Sequence, residues 1–287
     1  ARVPPLVLVR RPLVAHRLAA LLDHEVRTGI KTDTGYGRTG IPVDNAESLR
    51  ATAQAIARSR HLELAGLLTH GGDTYQAPDP AIVLQRFERS RQRMCAAADA
   101  LRADFPDLAV SVGDTPGCCV AEDFPGIDEI RPGNFVFFDV MQQQRGVCSS
   151  QDIAVALACP VVAIHEDRNE LVLYGGAVHL SREALGERDG TQIFGRIVTL
   201  EADGWSAPIP GAAVIRLSQE HGIVRLPAEQ LRAIEEGDLL GVLPVHSCLT
   251  AECMKGYRCL DGSRADHLAG CPSSPFQIGR ASCRERV

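Results

Sequence analysis

Apolar residues recur at helical spacing over residues 13–22 (LVAHRLAALL), just after a short apolar run that begins at Leu6. Residues 26–32 then read as a strand, cut off by the glycine-rich DTGYGRTG. An alanine-rich helix is predicted over 45–59 and a short buried strand over 64–69 (LAGLLT). A long amphipathic helix is predicted over 80–102, with Val83, Leu84, Phe87, Met94 and Leu101 on or near one face. A strand over 108–112 follows, then short apolar segments at 127–131 and 135–138. Strand and helix alternate and the strands end in glycines, which is the signature of a parallel α/β layer. A barrel fragment and an open doubly wound sheet both satisfy this pattern.

The pattern changes near Cys148. Residues 153–164 form a continuous apolar run rich in β-branched side chains. Strand-length segments at 170–174, 192–200, 213–217, 222–226 and 238–243 follow at hairpin spacing, with Gly and Asp between them. This predicts an antiparallel β domain, with the boundary at about residues 147–152. No internal repeat and no low-complexity tract interrupts either half.

Composition narrows the function. With 45% apolar and 23% charged residues, 287 residues make one large globular domain or two ordinary ones. A net charge of -6 argues against a nucleic-acid partner, since phosphate backbones demand a basic surface. No apolar run approaches the roughly 20 residues that span a bilayer. The ten cysteines show no CxxC pair, so they are read as reduced and the compartment as cytosolic. Only Lys31 and Lys255 are lysines, which restricts any chemistry that needs an amine. The chain opens on Ala1 with no signal-peptide pattern, and residues 278–287 (IGRASCRERV) share no periodicity with what precedes them. That tail, Cys283 included, is read as non-native, and the chain as a fragment.

In a parallel α/β domain, ligands gather at the C-terminal strand ends. Four such ends carry polar, glycine-rich residues: KTDTGYGRTG at 31–40, THGGDTY at 69–75, SVGDTPG at 111–117 and EIRPGN at 129–134. Glycines let backbone N–H groups approach a ligand, and with Ser and Thr they can hold a phosphate. The third and fourth loops are the candidate cradle. None matches GxxxxGK[ST] or GxGxxG. Read singly, each is an ordinary βα turn; four in succession point to a site. His70 beside two glycines is either a satisfied buried histidine or a catalytic one. Arg38 and Arg131 are either surface residues or, at a strand end facing a cavity, holders of an anion or a ring nitrogen. Lys31 and Asp33 share a strand face, which alone means an ion pair. In the second half, PVHSCLTA sets His246 and Cys248 two residues apart. On an extended segment both project to one side, and N and S donors suit Zn²⁺ with open positions for water or substrate. By itself HxC is a weak motif, and its random occurrence in a chain with nine His and ten Cys is not rare. His221 reads as a turn residue or as lining the same cleft, and His179 and His267 as solvated or packing positions.

In that order, KTDTGYGRTGI, LLTHGGDTY, SVGDTPG, EIRPGNFVFFDVMQ, SQEHGIV and PVHSCLTA resemble the D-serine dehydratase-like and D-threonine aldolase group. These are pyridoxal phosphate enzymes of the alanine-racemase fold type, and the likeness covers about residues 13–270. It implies part of a (β/α)₈ barrel over residues 1–149, an antiparallel β domain over 150–270, and a tail over 271–287. It places Arg38 near the cofactor's phenolic oxygen or the substrate, His70 against the pyridine ring, and Arg131 toward the ring nitrogen. Gly113, Thr115, Gly133 and Asn134 would bind the phosphate, Tyr75 would add a cofactor contact, and His246 and Cys248 would hold Zn²⁺ or Mn²⁺. Aldolases of the group tend to carry HxD there, so HxC favours dehydration. The implied activity is elimination from a β-hydroxy D-amino acid to a keto acid and ammonia, with retro-aldol cleavage or racemisation as alternatives. The implied partner is the small-molecule substrate, and the implied assembly a homodimer. The group's Schiff-base lysine lies on the first barrel strand and matches nothing here. The chain by itself is therefore expected to lack that lysine, to expose barrel edges, and to be unstable and inactive.

Overall fold

Residues 6–266 are described in this computed structural model; His267, Cys283 and the tail over 271–287 lie outside them. The chain divides into two units, Ala1–Ala154 and Val155–Val287. The first contains β1 (Leu6–Val9), α1 (Pro12–Leu21), β2 (Val26–Asp33), β3 (Ile41–Pro42), α2 (Ala46–Ala57), β4 (Leu62–Leu68), α3 (Pro80–Arg102), β5 (Ala109–Val112), α4 (Thr115–Val120), β6 (Glu129–Ile130) and α5 (Val140–Gln144). Its sheet runs β1-β2-β4-β5-β6, every pair parallel, with β3 added beside β2. That sequential order is the order of neighbouring strands in a βα barrel.

The helices start where side chains can take up orphan N–H groups. Asn45 accepts from Ser48, Asp79 from Ile82, and Asp114 from Gly117. Pro80 and Pro116 occupy first-turn positions whose N–H would otherwise be unpaired. Ile30, Leu67 and Val110 on the strands pack in one core with Leu49 and Ile56 of α2 and Phe87, Met94 and Leu101 of α3. Each such side chain fully buried contributes roughly 1.5–3 kcal/mol. The apolar segment 135–138 forms turns and leaves Phe135 and Val136 more than half exposed. β1 lies at the sheet edge, and Leu6 and Leu8 stay exposed, as do Leu13, Val14 and Leu21 of α1.

The second unit contains β7 (Leu157–His165), β8 (Glu170–Tyr174), α6 (Ala177–Leu180), β9 (Leu185–Gly186), β10 (Gln192–Ile193), β11 (Gly195–Glu201), β12 (Gly204–Trp205), β13 (Ala213–Leu217), β14 (His221–Arg225), α7 (Ala228–Leu231), β15 (Leu239–Pro244), α8 (Ser247–Met254), β16 (Gly256–Arg258) and β17 (Arg264–Asp266). Strands β11-β13-β14-β8-β7-β15 are antiparallel neighbours, and β15 pairs back onto β11. The sheet thus closes on itself, which removes its free edges. Leu171, Leu173, Ile197, Val214, Val224 and Val242 fill the interior. The segment after β15 differs from the sequence expectation. Only His246 is extended; Ser247 onward is helix, so Cys248 lies in the first turn of α8 and not on a strand. The run Ser247–Met254 has no apolar stripe to announce a helix, whereas the preceding strand residues are apolar throughout. Among the described residues, no helix is long and apolar enough to cross a membrane.

Candidate functional sites

Parallel pairing turns the ends of β2, β4, β5 and β6 the same way, and backbone bonds extend the register into the loops. Thr69 N–H donates to Ser111 O at 3.0 Å, Gly71 N–H to Gly113 O at 3.3 Å, and Arg131 N–H to Val112 O at 3.0 Å. Lys31, two residues before the end of β2, is half-buried, and its amine is lowered to about 8, first by burial, then by the charges of Arg131 and Arg38. Asp33 does not pair with it. The carboxylate turns back into its own loop and accepts Gly35 N–H at 2.9 Å and Gly37 N–H at 3.0 Å. That corrects the ion-pair reading: the glycine loop brings donors closer than the lysine.

His70 is held below its usual pKa by burial first and Arg38 second, so the imidazole is neutral at neutral pH. Its ring lies 5.9 Å from Tyr36 and 6.1 Å from Tyr75. Gly72 makes the first of these contacts feasible, since a Cβ there would come within 2.3 Å of the Tyr36 ring. Arg38 is exposed, with its guanidinium carbon 5.6 Å from the Tyr36 ring centre. Arg131 is fixed: Nε donates to Ser111 Oγ at 2.8 Å and Nη2 to Thr69 O at 2.5 Å. Ser111 Oγ in turn donates a hydrogen bond to Glu129 Oε2 at 2.6 Å.

The loops after β5 and β6 are joined. Thr115 N–H donates to Tyr75 Oη at 3.1 Å, and Asn134 N–H to Thr115 Oγ1 at 2.9 Å. Asn134 Nδ2 donates to Asp139 at 2.7 Å, and Asp139 also caps α5. Burial raises the Tyr75 phenol, so it keeps its proton. A Cβ on Gly133 would meet nothing within 4 Å, whereas one on Gly113 would come within 2.8 Å of Arg131. Gly113 therefore makes room for the arginine, while Gly133 borders open space.

In the second unit, His246 heads α8 and Cys248 follows in its first turn. His246 Nδ1 lies 3.2 Å from Glu183 Oε2. Thr250 Oγ1, one turn along α8, donates to Leu180 O at 3.5 Å. Among the described residues, no three His, Cys, Asp or Glu side chains form a group able to hold a metal ion. His246 and Cys248 thus offer one nitrogen and one sulfur donor, a borderline-soft pair suited to zinc. His221 opens β14 and packs 5.8 Å from Tyr174, which also meets His179 at 5.1 Å.

Residues 7–140 match the Alanine racemase, N-terminal domain family, and residues 154–260 match the Putative serine dehydratase domain family. The chain joins an alanine racemase N-terminal domain to a serine dehydratase domain. Across this pair of domains it is 32% identical to the D-threo-3-hydroxyaspartate dehydratase of Delftia sp. (strain HT23), over 82% of this chain and 63% of that protein. It is 25% identical to the D-serine dehydratase of Dictyostelium discoideum, over 81% of this chain and 60% of that one. The chain spans between 56% and 63% of the length of the curated relatives it matches. The solved structure of the Delftia enzyme superposes with a TM-score of 0.81 at 28% identity, covering 91% of this chain and 71% of that one. D-threonine aldolase from Filomicrobium marinum shares the fold, with a TM-score of 0.73 at 18% identity over 90% of this chain and 66% of that one.

The structure therefore gathers Arg38, His70 and Arg131 around Lys31, and links Tyr75, Thr115 and Asn134 beside Gly133. His246 and Cys248 share one helix start in the other unit. Two residues escaped the sequence reading, and a third, Lys31, was read there in another role. Lys31 reads as half of an ion pair, and only its burial reveals an unmatched amine. Tyr36 sits inside the DTGYG motif, which was the available signal; its contact with Gly72 is visible only in the fold. Glu183 lies 63 positions from His246, and no local pattern joins them.

Proposed function

We propose that the protein is a pyridoxal phosphate- and metal-dependent lyase that removes the β-hydroxyl of a D-amino acid, leaving a keto acid and ammonia. The observation that carries this reading is the crowding of Lys31, Arg38 and Arg131 around a neutral His70 at parallel strand ends. Burial disfavours the charges of Lys31 and Arg131, the two arginines add repulsion at Lys31, and a bound anion offsets both. A phosphate ester and a substrate carboxylate are such anions. The residues present fit the cofactor: Tyr75 and Thr115 have hydroxyl protons to donate to its phosphate, Gly133 borders open space, and a flat neutral imidazole suits the face of a ring. Bound pyridoxal phosphate supplies stabilisation of negative charge at the substrate Cα. Arg131, anchored on Ser111 and Thr69, holds its charge without moving. Arg38, on the exposed loop, is placed to meet substrate. Lys31 Nζ gives up or takes a proton near neutral pH far more readily than an ordinary lysine. The lysine that carries the cofactor's aldehyde has no assignment among residues 6–266.

The His246 and Cys248 donor set fits zinc, whose Lewis acidity would favour departure of a hydroxyl. Solved structures of a D-threo-3-hydroxyaspartate dehydratase include a histidine-to-alanine mutant and a cysteine-to-alanine mutant in the metal-free form; those positions are two apart, as His246 and Cys248 are. That spacing and the dehydratase relatives support elimination over aldol cleavage. In this reading the active protein is a cytoplasmic homodimer.

The test uses the full-length protein carrying this sequence, incubated with pyridoxal phosphate and, separately, D-serine, D-threonine and D-threo-3-hydroxyaspartate. Equimolar keto acid and ammonia are expected, lost on chelation and restored by zinc. Glycine plus an aldehyde would instead mean aldol cleavage, and metal-independent racemisation would sink the lyase reading. Borohydride reduction followed by peptide mapping is expected to leave Lys31 and Lys255 unlabelled.

A further inference from the structure

We infer that Glu183 is a positioning residue for His246, holding the imidazole in the tautomer that presents Nε2 as a metal ligand. The inference rests on the metal reading of His246 and Cys248. An ionised carboxylate only accepts hydrogen bonds, so the 3.2 Å contact between Glu183 Oε2 and His246 Nδ1 puts the proton on Nδ1. Nε2 then keeps its lone pair. The opposite tautomer blocks ligation through Nε2, and nothing in the sequence of α8 itself selects between the two.

The backbone shows how the carboxylate is brought there. Ser181, which ends α6, adopts φ 68° and ψ −171°, a region populated almost only by glycine. Its N–H bonds to Ala177 O at 3.0 Å, and its hydroxyl accepts the Glu183 N–H at 3.2 Å. A strained residue is thus held from both sides, and the chain turns sharply between Leu180 and Glu183. The same two residues grip α8: Leu180 through its carbonyl to the buried Thr250, and Glu183 through its carboxylate to His246. His246 and Thr250 are one helical turn apart, linked by Thr250 N–H to His246 O at 3.2 Å. Two contacts one turn apart fix both the position and the rotation of the helix start. As a surface ion pair, with side chains 31% and 39% exposed, Glu183 and His246 would add little to stability. The role is orientation, which such a contact delivers even when its energy is small.

The test compares Glu183→Ala, Glu183→Gln and His246→Ala in the full-length protein carrying this sequence. ¹⁵N-histidine spectra of the metal-free protein report the tautomer, and chelator competition reports the affinity for zinc. In the wild type the proton is on Nδ1. Glu183→Ala is expected to shift it toward Nε2 and to weaken zinc about 10- to 100-fold. Glu183→Gln, whose amide oxygen still accepts from Nδ1, is expected to keep the tautomer and lose less affinity. Both changes must occur together in Glu183→Ala; either alone, or neither, overturns the inference. If His246→Ala binds zinc as tightly as the wild type, the metal reading fails and takes the inference with it. If His246→Ala loses zinc while Glu183→Ala does not, only the inference falls.

Discussion

The parallel unit assembles its polar cluster from the ends of β2, β4, β5 and β6, each reaching the cluster by its own loop. The antiparallel unit instead draws His246 and Cys248 from one helix start, with Glu183 reaching in from one strained turn. The first cluster is cationic and poorly compensated: Lys31 loses proton affinity to burial, Arg131 and Arg38, and the opposing pull of Asp33 is the smallest influence. The second cluster is a pair of donor atoms with one carboxylate behind it. Scattered strand ends suit a large anion that must be touched from several sides. A two-residue ligand set suits a small cation that needs fixed lone pairs.

Three substitutions put this contrast to the test. The largest effect is expected from Cys248→Ala, which should abolish stoichiometric zinc while leaving pyridoxal phosphate capture unchanged; metal analysis beside absorbance spectra separates the two. Gly72→Ala should do the reverse. Its Cβ would press on the Tyr36 ring, costing about 1–3 kcal/mol in denaturant unfolding and loosening cofactor capture, with zinc retained. The smallest effect concerns Asp114, whose carboxyl is raised to about 6, chiefly by burial, from an ordinary 3.8. The native state therefore binds more protons than the unfolded state between those values, so stability falls as pH rises through that window. Asp114 Oδ1 accepts both from Thr74 and from Gly117 N–H, and an asparagine oxygen can do the same. Asp114→Asn should flatten the decline between pH 4 and 6 in thermal melts, a window set by the same two values.

Much of the fold was readable because hydrophobic spacing is a local signal. The switch from helical period with glycine-ended strands to hairpin spacing distinguishes the parallel sheet from the closed antiparallel one. The motif positions Arg38, His70 and Arg131 were readable for the same reason, since parallel strand ends are where a sheet collects ligands. The failures concern what local spacing cannot encode. The HxC spacing was visible, but the extended geometry assigned to it was wrong, because α8 begins at Ser247 without an amphipathic stripe. Asp33 and Lys31 share a strand face, yet the carboxylate folds onto Gly35 and Gly37, a choice made by loop geometry. Glu183 reaches His246 only because α6, its C-terminal turn and α8 meet in three dimensions.

Lys31 has a meaning outside its own chemistry. The sequence has only two lysines, and Lys255 is exposed and ion-paired to Glu252. With an amine near pKa 8, Lys31 is unprotonated in about half of the molecules at that pH, and small acylating reagents attack only the unprotonated amine. One acyl group there would erase a positive charge from between Arg38 and Arg131. The electrostatic character of the strand ends can therefore be reset by a single covalent mark, with no change to the sequence.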